Sequence, residues 1–143
     1  MAAVPTDADL HQLAQRLGHR LSDAGLRLTL AESCTGGWVA KVVTDIAGSS
    51  RWFERGFVTY TNASKQELLG VPAGVLDRHG AVSAETVAAM AHGALARSAA
   101  DLSCAISGIA GPGGATPTKP VGLVWFAWMR RDAGPRTEQQ LYA

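Results

Sequence analysis

Apolar residues recur every three or four positions in some stretches of the chain and at alternate positions in others, and the change of rhythm divides it into helices and strands. Leu10, Leu13, Ala14, Leu17 and Leu21 fall on one helical face behind the start signal Pro5-Thr6-Asp7, and Gly25 closes the run. Arg27-Leu28-Thr29-Leu30 then alternates, which predicts a strand over 27–31. Trp38, Val39, Val42, Val43 and Ile46 return to helical spacing as far as Ala47, with Gly48 as the stop. Ser49 to Arg51 turn the chain, and the bulky Trp52 and Phe53 are expected to pack beneath that turn. Gly56-Phe57-Val58-Thr59-Tyr60 alternates and is rich in β-branched and aromatic residues, so a second strand is expected to end at Tyr60.

Asn62 is a suitable N-cap for a short helix through Leu68 and Leu69, stopped by Gly70, and Val71-Pro72 opens another that ends near Gly80. Ser83 caps a longer helix from Ala84 to about Ala99, with Glu85 in the first turn where the helix dipole favours an acid. Val87, Met90, Ala91, Ala94 and Leu95 form its inner face, and its many alanines imply close packing against a sheet or a second subunit. A third strand is predicted over 103–107, a fourth over 121–129, and a fifth, antiparallel to the fourth, over 137–142. The Gly- and Pro-rich segment 108–120 is too broken for regular structure and too long for a passive connector. Strands alternating with helices predict a single α/β domain over 1–143, a three-layer α/β/α sandwich with a mixed, mainly parallel sheet.

Composition adds mainly exclusions. The 143 residues suffice for one core, and a net charge of +1 with scattered basic residues gives no case for nucleic-acid binding. No apolar run approaches about 18 residues, and Asp7 and Asp9 stand where a signal peptide would be basic, so no membrane association and a cytoplasmic location are expected. Cys34 and Cys104 lack C-x-x-C spacing, and His11, His19, His79 and His92 are dispersed. Neither a metal site nor a cofactor is expected.

Candidate chemistry gathers at Ala31-Glu32-Ser33-Cys34-Thr35-Gly36-Gly37, a strand-to-helix turn that offers two hydroxyls, a thiol and the free amides of a helix start. Ligands in α/β sheets sit beyond the carboxyl ends of strands, where this turn would meet the segments 61–65 and 108–119. Lys65, in the first turn of a helix whose dipole disfavours an ammonium, suits a general base acting on a serine, or else extends into solvent. Ser33 is either nucleophile or cap. Cys34 is its rival, since a thiol at a helix N-terminus is activated without help. Thr35 fits capping, while Glu32 suits a sugar hydroxyl, a pairing with Lys65 or a buried structural contact. The loop 108–119 brings glycines and Lys119, the ingredients of a phosphate site, but matches neither the P-loop nor the Rossmann pattern and reads equally as a flexible crossover.

The motifs 31–37, Gly48-Ser49-Ser50, Gly56 to Tyr60 with Asn62 and Lys65, Gly80-Ala81-Val82-Ser83, Gly108-Ile109-Ala110-Gly111-Pro112 and Lys119-Pro120-Val121-Gly122 occur in a familiar order. From Leu28 to Trp128 the chain resembles the C-terminal domain family of competence/damage-inducible protein A, in particular its stand-alone nicotinamide-nucleotide amidohydrolases. That resemblance implies metal-free hydrolysis of the carboxamide of nicotinamide mononucleotide, in NAD salvage, by a homodimer. It implies Ser33 as nucleophile with Lys65 and Tyr60 as acid/base partners. Glu32, Thr35, Gly36, Gly37, Asn62, Ser107, Gly108, Gly111, Gly113, Gly114 and Lys119 are assigned to the substrate, with Gly36 and Gly37 amides on the oxyanion and Gly111 to Gly114 with Lys119 on the phosphate. Ser107 replaces the threonine usual in that family and keeps its hydroxyl. Family members continue with a Ser-Gly-x-Arg segment and a final helix, whereas this sequence ends at Ala143, so the last segment is expected to be missing. The competing class is a non-catalytic nucleotide-binding or protein-interaction module.

Overall fold

The computed structural model describes residues 3–142, which leaves Met1, Ala2 and Ala143 outside the described part. Helix α1 (Asp7–Ala24) begins at a capping box in which the Thr6 side chain accepts from the Asp9 amide and the Asp9 carboxylate accepts from the Thr6 amide. Gly25 ends it in the left-handed conformation that glycine adopts at least cost. The chain continues through β1 (Leu28–Glu32), α2 (Trp38–Thr44), a 3-10 turn (Ser49–Arg51), β2 (Phe53–Val58), α3 (Asn62–Leu69), α4 (Ala73–His79), α5 (Ala84–Ala96), β3 (Leu102–Gly108), β4 (Leu123–Arg130) and β5 (Arg136–Leu141). No helix among the described residues is long and apolar enough to cross a membrane.

The five strands form one sheet in the order β2-β1-β3-β4-β5. β1 runs parallel to both β2 and β3, whereas β4 is antiparallel to β3 and β5 to β4. The sheet is therefore mixed, with its parallel pairs gathered on one half. Alternation along β1 sends Leu28 and Leu30 to a core shared with Leu21 of α1, Val43 of α2 and Trp52. Ala31 faces the opposite core, where Ala105 and Ala127 of the sheet meet Val87, Met90, Ala91 and Ala94 of α5. Helices thus cover both faces, as the three-layer reading requires.

Small residues let these layers approach closely. Trp52 packs against α1, which is possible because Gly18 has no Cβ; one would come within 2.6 Å of the indole ring. The alanine-rich face of α5 packs on the sheet and on α3, where a Cβ at Gly93 would stand 1.9 Å from the Leu69 carbonyl oxygen. α3 is consequently held in one position against α5.

Several element ends differ from the sequence expectation, and two of them matter for the site. β2 starts at Phe53, which pairs with Leu28, and stops at Val58, so Thr59 and Tyr60 have left the strand. The cap of α3 is Thr61 rather than Asn62: its side chain accepts from the Ser64 amide at 3.0 Å, which makes Asn62 the first helical residue. Elsewhere α2 ends at Thr44, α5 ends at Ala96, and β4 begins at Leu123.

Candidate active site

β1, β2 and β3 end, and β4 and α5 begin, on one side of the molecule, where a cavity of about 290 Å³ opens. Lys65 reaches it from α3 and is only 1% exposed. Its Nζ lies 2.9 Å from Ser33 Oγ, 2.8 Å from the Thr59 carbonyl oxygen and 3.2 Å from that of Tyr60. Burial pushes the Lys65 pKa below its ordinary value by disfavouring the ammonium. A neutral amine has two N–H bonds and one lone pair. With both N–H bonds directed at the two carbonyls, the lone pair is left facing Ser33 Oγ.

Ser33 is buried one residue past the end of β1, where its amide donates to the Ile106 carbonyl at 3.0 Å. The turn behind it is fixed by Glu32, also 1% exposed. One carboxylate oxygen of Glu32 accepts from Thr35 Oγ1 at 2.6 Å and the Val39 amide at 3.0 Å, and the other accepts from the Ala40 amide at 2.9 Å. Glu32 thereby caps α2, whose own N-cap residue Gly37 sits at φ 97° and has no side chain to do so. The structural alternative for Glu32 is the one its contacts express, and Thr35 works with it at that helix start.

The amide of Gly36 donates to the Ser33 carbonyl at 3.1 Å, which leaves it unavailable to an oxyanion. The amides of Cys34 and Gly108 face the Cys34 sulfur beside Ser33. Burial pushes the Cys34 thiol pKa up despite that help, and the start of α2, four residues further on, is already capped by Glu32. Burial thus works against the activated thiol that the sequence offers as the rival to Ser33. Cys104, deep in β3, is pushed up to about 12 by burial.

Across the cavity stand Ser107, Gly108, Gly111, Gly113 and Gly114, with Ala81 and Val82 from the α4–α5 link forming another wall. Ser107 Oγ donates to the Ala81 carbonyl at 2.7 Å and ties that link to the end of β3. Gly108 is needed here, since a Cβ would come within 2.9 Å of the Leu123 carbonyl oxygen and 3.1 Å of Cys34 Sγ. Tyr60 stands at the mouth with its side chain outside the lysine's hydrogen bonds and is 72% exposed. Thr59 Oγ1 is buried and has no hydrogen-bond partner among the described residues.

The remaining sequence candidates lie outside the cavity wall. Glu32, Thr35, Gly36 and Gly37 form the turn behind Ser33, and Asn62 is exposed at the start of α3. Lys119 reaches away to the His79 carbonyl, to which its Nζ donates. Sequence reading missed Ala81, Val82, Ile109 and Ala110 as lining residues, and it missed the Thr59 and Tyr60 carbonyls. Main-chain acceptors have no residue-type signal; only the point at which β2 ends exposes them.

Over residues 10–142 the chain matches the CinA C-terminal domain family. It is 58% identical over 123 residues to the nicotinamide-nucleotide amidohydrolase PncC of Escherichia coli strain K12, which covers 86% of this chain and 74% of the relative. A CinA-like protein of Akkermansia muciniphila is 57% identical over 122 residues, 85% of this chain but 30% of that longer protein. The crystal structure of the competence/damage inducible protein CihA from Agrobacterium tumefaciens superposes with a TM-score of 0.91 at 46% identity, covering 100% of this chain and 86% of the other.

Proposed function

Because the chain belongs to the CinA C-terminal domain family, we propose that it hydrolyses the carboxamide of nicotinamide mononucleotide to nicotinate mononucleotide and ammonia. The observation that carries this reading is the buried Lys65 amine 2.9 Å from Ser33 Oγ, in a chain whose similar relatives include a named nicotinamide-nucleotide amidohydrolase. Such a pair suits attack on an amide without a histidine.

In this mechanism the Ser33 proton passes to Lys65 Nζ as Oγ bonds to the carboxamide carbon. The carbonyl oxygen becomes an oxyanion, held by the amides of Cys34 and Gly108, since the Gly36 amide is engaged with the Ser33 carbonyl. Collapse breaks the carbon–nitrogen bond while Lys65 returns the proton to the departing nitrogen, releasing ammonia and leaving an ester on Ser33. Water attacks that ester with Lys65 again as base, and the nicotinate product leaves as Ser33 regains its proton. The two backbone carbonyls hold Lys65 Nζ throughout. Tyr60 has a second task at the cavity mouth, where its phenol meets the leaving nitrogen and passes protons to solvent. The reading extends to a homodimer, as the resemblance implies.

Ammonia release by the purified chain tests the proposal. Ammonia and nicotinate mononucleotide are expected in equal amounts from nicotinamide mononucleotide, with EDTA present. No release under these conditions overturns it.

A further inference from the structure

β5 is an edge of the sheet: it pairs with β4 alone, and all of its residues are exposed. Register gives the direction of its free main-chain groups. At the two ends of β4 the Leu123 carbonyl accepts from the Ile109 amide and the Arg131 amide donates to the Asp101 carbonyl, so odd-numbered residues bond towards β3. Even-numbered ones bond towards β5, where Val124, Phe126 and Trp128 stand opposite Gln140, Glu138 and Arg136. The Tyr142 amide, donating to the Gly122 carbonyl at 2.9 Å, continues that ladder. The N–H and C=O groups of Thr137, Gln139 and Leu141 therefore point outward, and no described residue hydrogen-bonds to them.

The opposite edge is blunted. β2 carries an extra residue, Glu54, between the partners of Leu28 and Thr29, and Arg55 pairs with Glu54 there. β5 keeps its register on β4 without a shift, holds no lysine, and has Pro135 only before its start. Such an edge accepts a further strand. Its sequence fits an antiparallel copy of itself in one register. With a two-fold axis at Gln139, Gln139 meets Gln139 of the copy, Thr137 meets Leu141 of the copy, and every outward group gains a partner. Glu138 then faces Gln140 of the copy, and the Leu141 side chain, 65% exposed in the single chain, gains a neighbour in Thr137. An axis at Glu138 instead sets two carboxylates against each other and leaves Leu141 opposite Pro135, which has no N–H for its carbonyl.

We infer that the outer edge of β5 is the docking surface for a second copy of this chain, strand to strand and antiparallel about Gln139, so that two five-stranded sheets become one. This rests on the homodimer in the reading above, to which it gives a surface, and uses none of the amide chemistry.

Cysteine cross-linking, read beside sedimentation equilibrium, tests the inference. Wild type is expected to sediment as a dimer. With oxidised glutathione, Gln139→Cys is expected to be trapped as a disulfide-linked dimer at least about tenfold faster than Glu138→Cys. The axis at Gln139 sets its two Cα atoms about 5.5 Å apart, within disulfide reach, and those of Glu138 about 8 Å apart. Wild type, whose Cys34 and Cys104 lie off this edge, is the control. Gln139→Pro removes an outward N–H and no bond to β4, and is expected to weaken the dimer at least about tenfold. If that variant misfolds, the two cysteine variants decide. Trapping of Glu138→Cys as fast as Gln139→Cys or faster overturns the inference. A wild-type dimer that neither cysteine traps also overturns it and leaves the homodimer standing on another surface. A monomeric wild type overturns both, while ammonia release from the same sample decides the hydrolysis reading separately.

Discussion

Glu32, the last residue of β1, and Lys65, near the start of α3, are both 1% exposed, and both carry groups that cost much to bury in charged form. Their surroundings differ in kind. Glu32 receives three donors, all from residues within eight positions of itself, so the fold satisfies its carboxylate locally and completely. Lys65 has two local carbonyls and one distant partner, the hydroxyl of Ser33, 32 positions away in sequence. Burial of an ionisable group does not by itself mark chemistry. What separates the two is whether the last partner is a fixed structural donor or a nucleophile facing a cavity.

The comparison breaks most visibly at Lys65. Lys65→Met keeps the length of the side chain but removes the base, and kcat is expected to fall by about a thousandfold while circular dichroism shows the fold retained. Lys65→Arg is expected to be equally inactive at every pH tested, because a guanidinium does not deprotonate. In the wild type kcat should rise with pH through a pKa below the ordinary lysine value of 10.5, as the amine loses its proton. Stability follows the same sign. The folded-state pKa is depressed, so the unfolded chain binds more protons, and stability should increase as pH rises from the folded pKa toward 10.5. Lys65→Met should lose that slope in urea unfolding.

Glu32 should respond in the opposite currency. Glu32→Ala leaves the Val39 and Ala40 amides and the Thr35 hydroxyl without their acceptor, and urea unfolding is expected to report a loss of about 2–3 kcal/mol. Activity should fall with the folded fraction. A stable but inactive Glu32→Ala would make Glu32 part of the chemistry after all. The smallest effect is expected at Cys34. Cys34→Ser should change kcat less than about twofold, since a thiol with a raised pKa is a poor nucleophile at neutral pH.

Much of this was legible from local pattern. The rhythm of Leu10 to Leu21, the left-handed stop at Gly25 and the alternation through Leu28 and Leu30 place the elements around β1, and the turn at 31–37 stands out in any reading of the chain. The pairing of Lys65 with Ser33 was legible as a hypothesis, since both follow strand ends. Roles within the turn were not. Whether Glu32 faces substrate or caps α2 depends on where α2 starts, and the left-handed Gly37 sets that point through backbone geometry rather than side-chain type. The place of Lys119 is not legible for a related reason: the path of a Gly- and Pro-rich loop is decided by what it packs against, here the end of α4 at His79. Nor does residue type reveal that the Gly36 amide is spent on a turn hydrogen bond to the Ser33 carbonyl.

The central claim is that Ser33, activated by Lys65, attacks the carboxamide, and Ser33→Ala tests it most directly. Ammonia release from nicotinamide mononucleotide by this variant, with its fold checked by circular dichroism, is expected to fall at least about a thousandfold below wild type. Release at the wild-type rate would contradict the account.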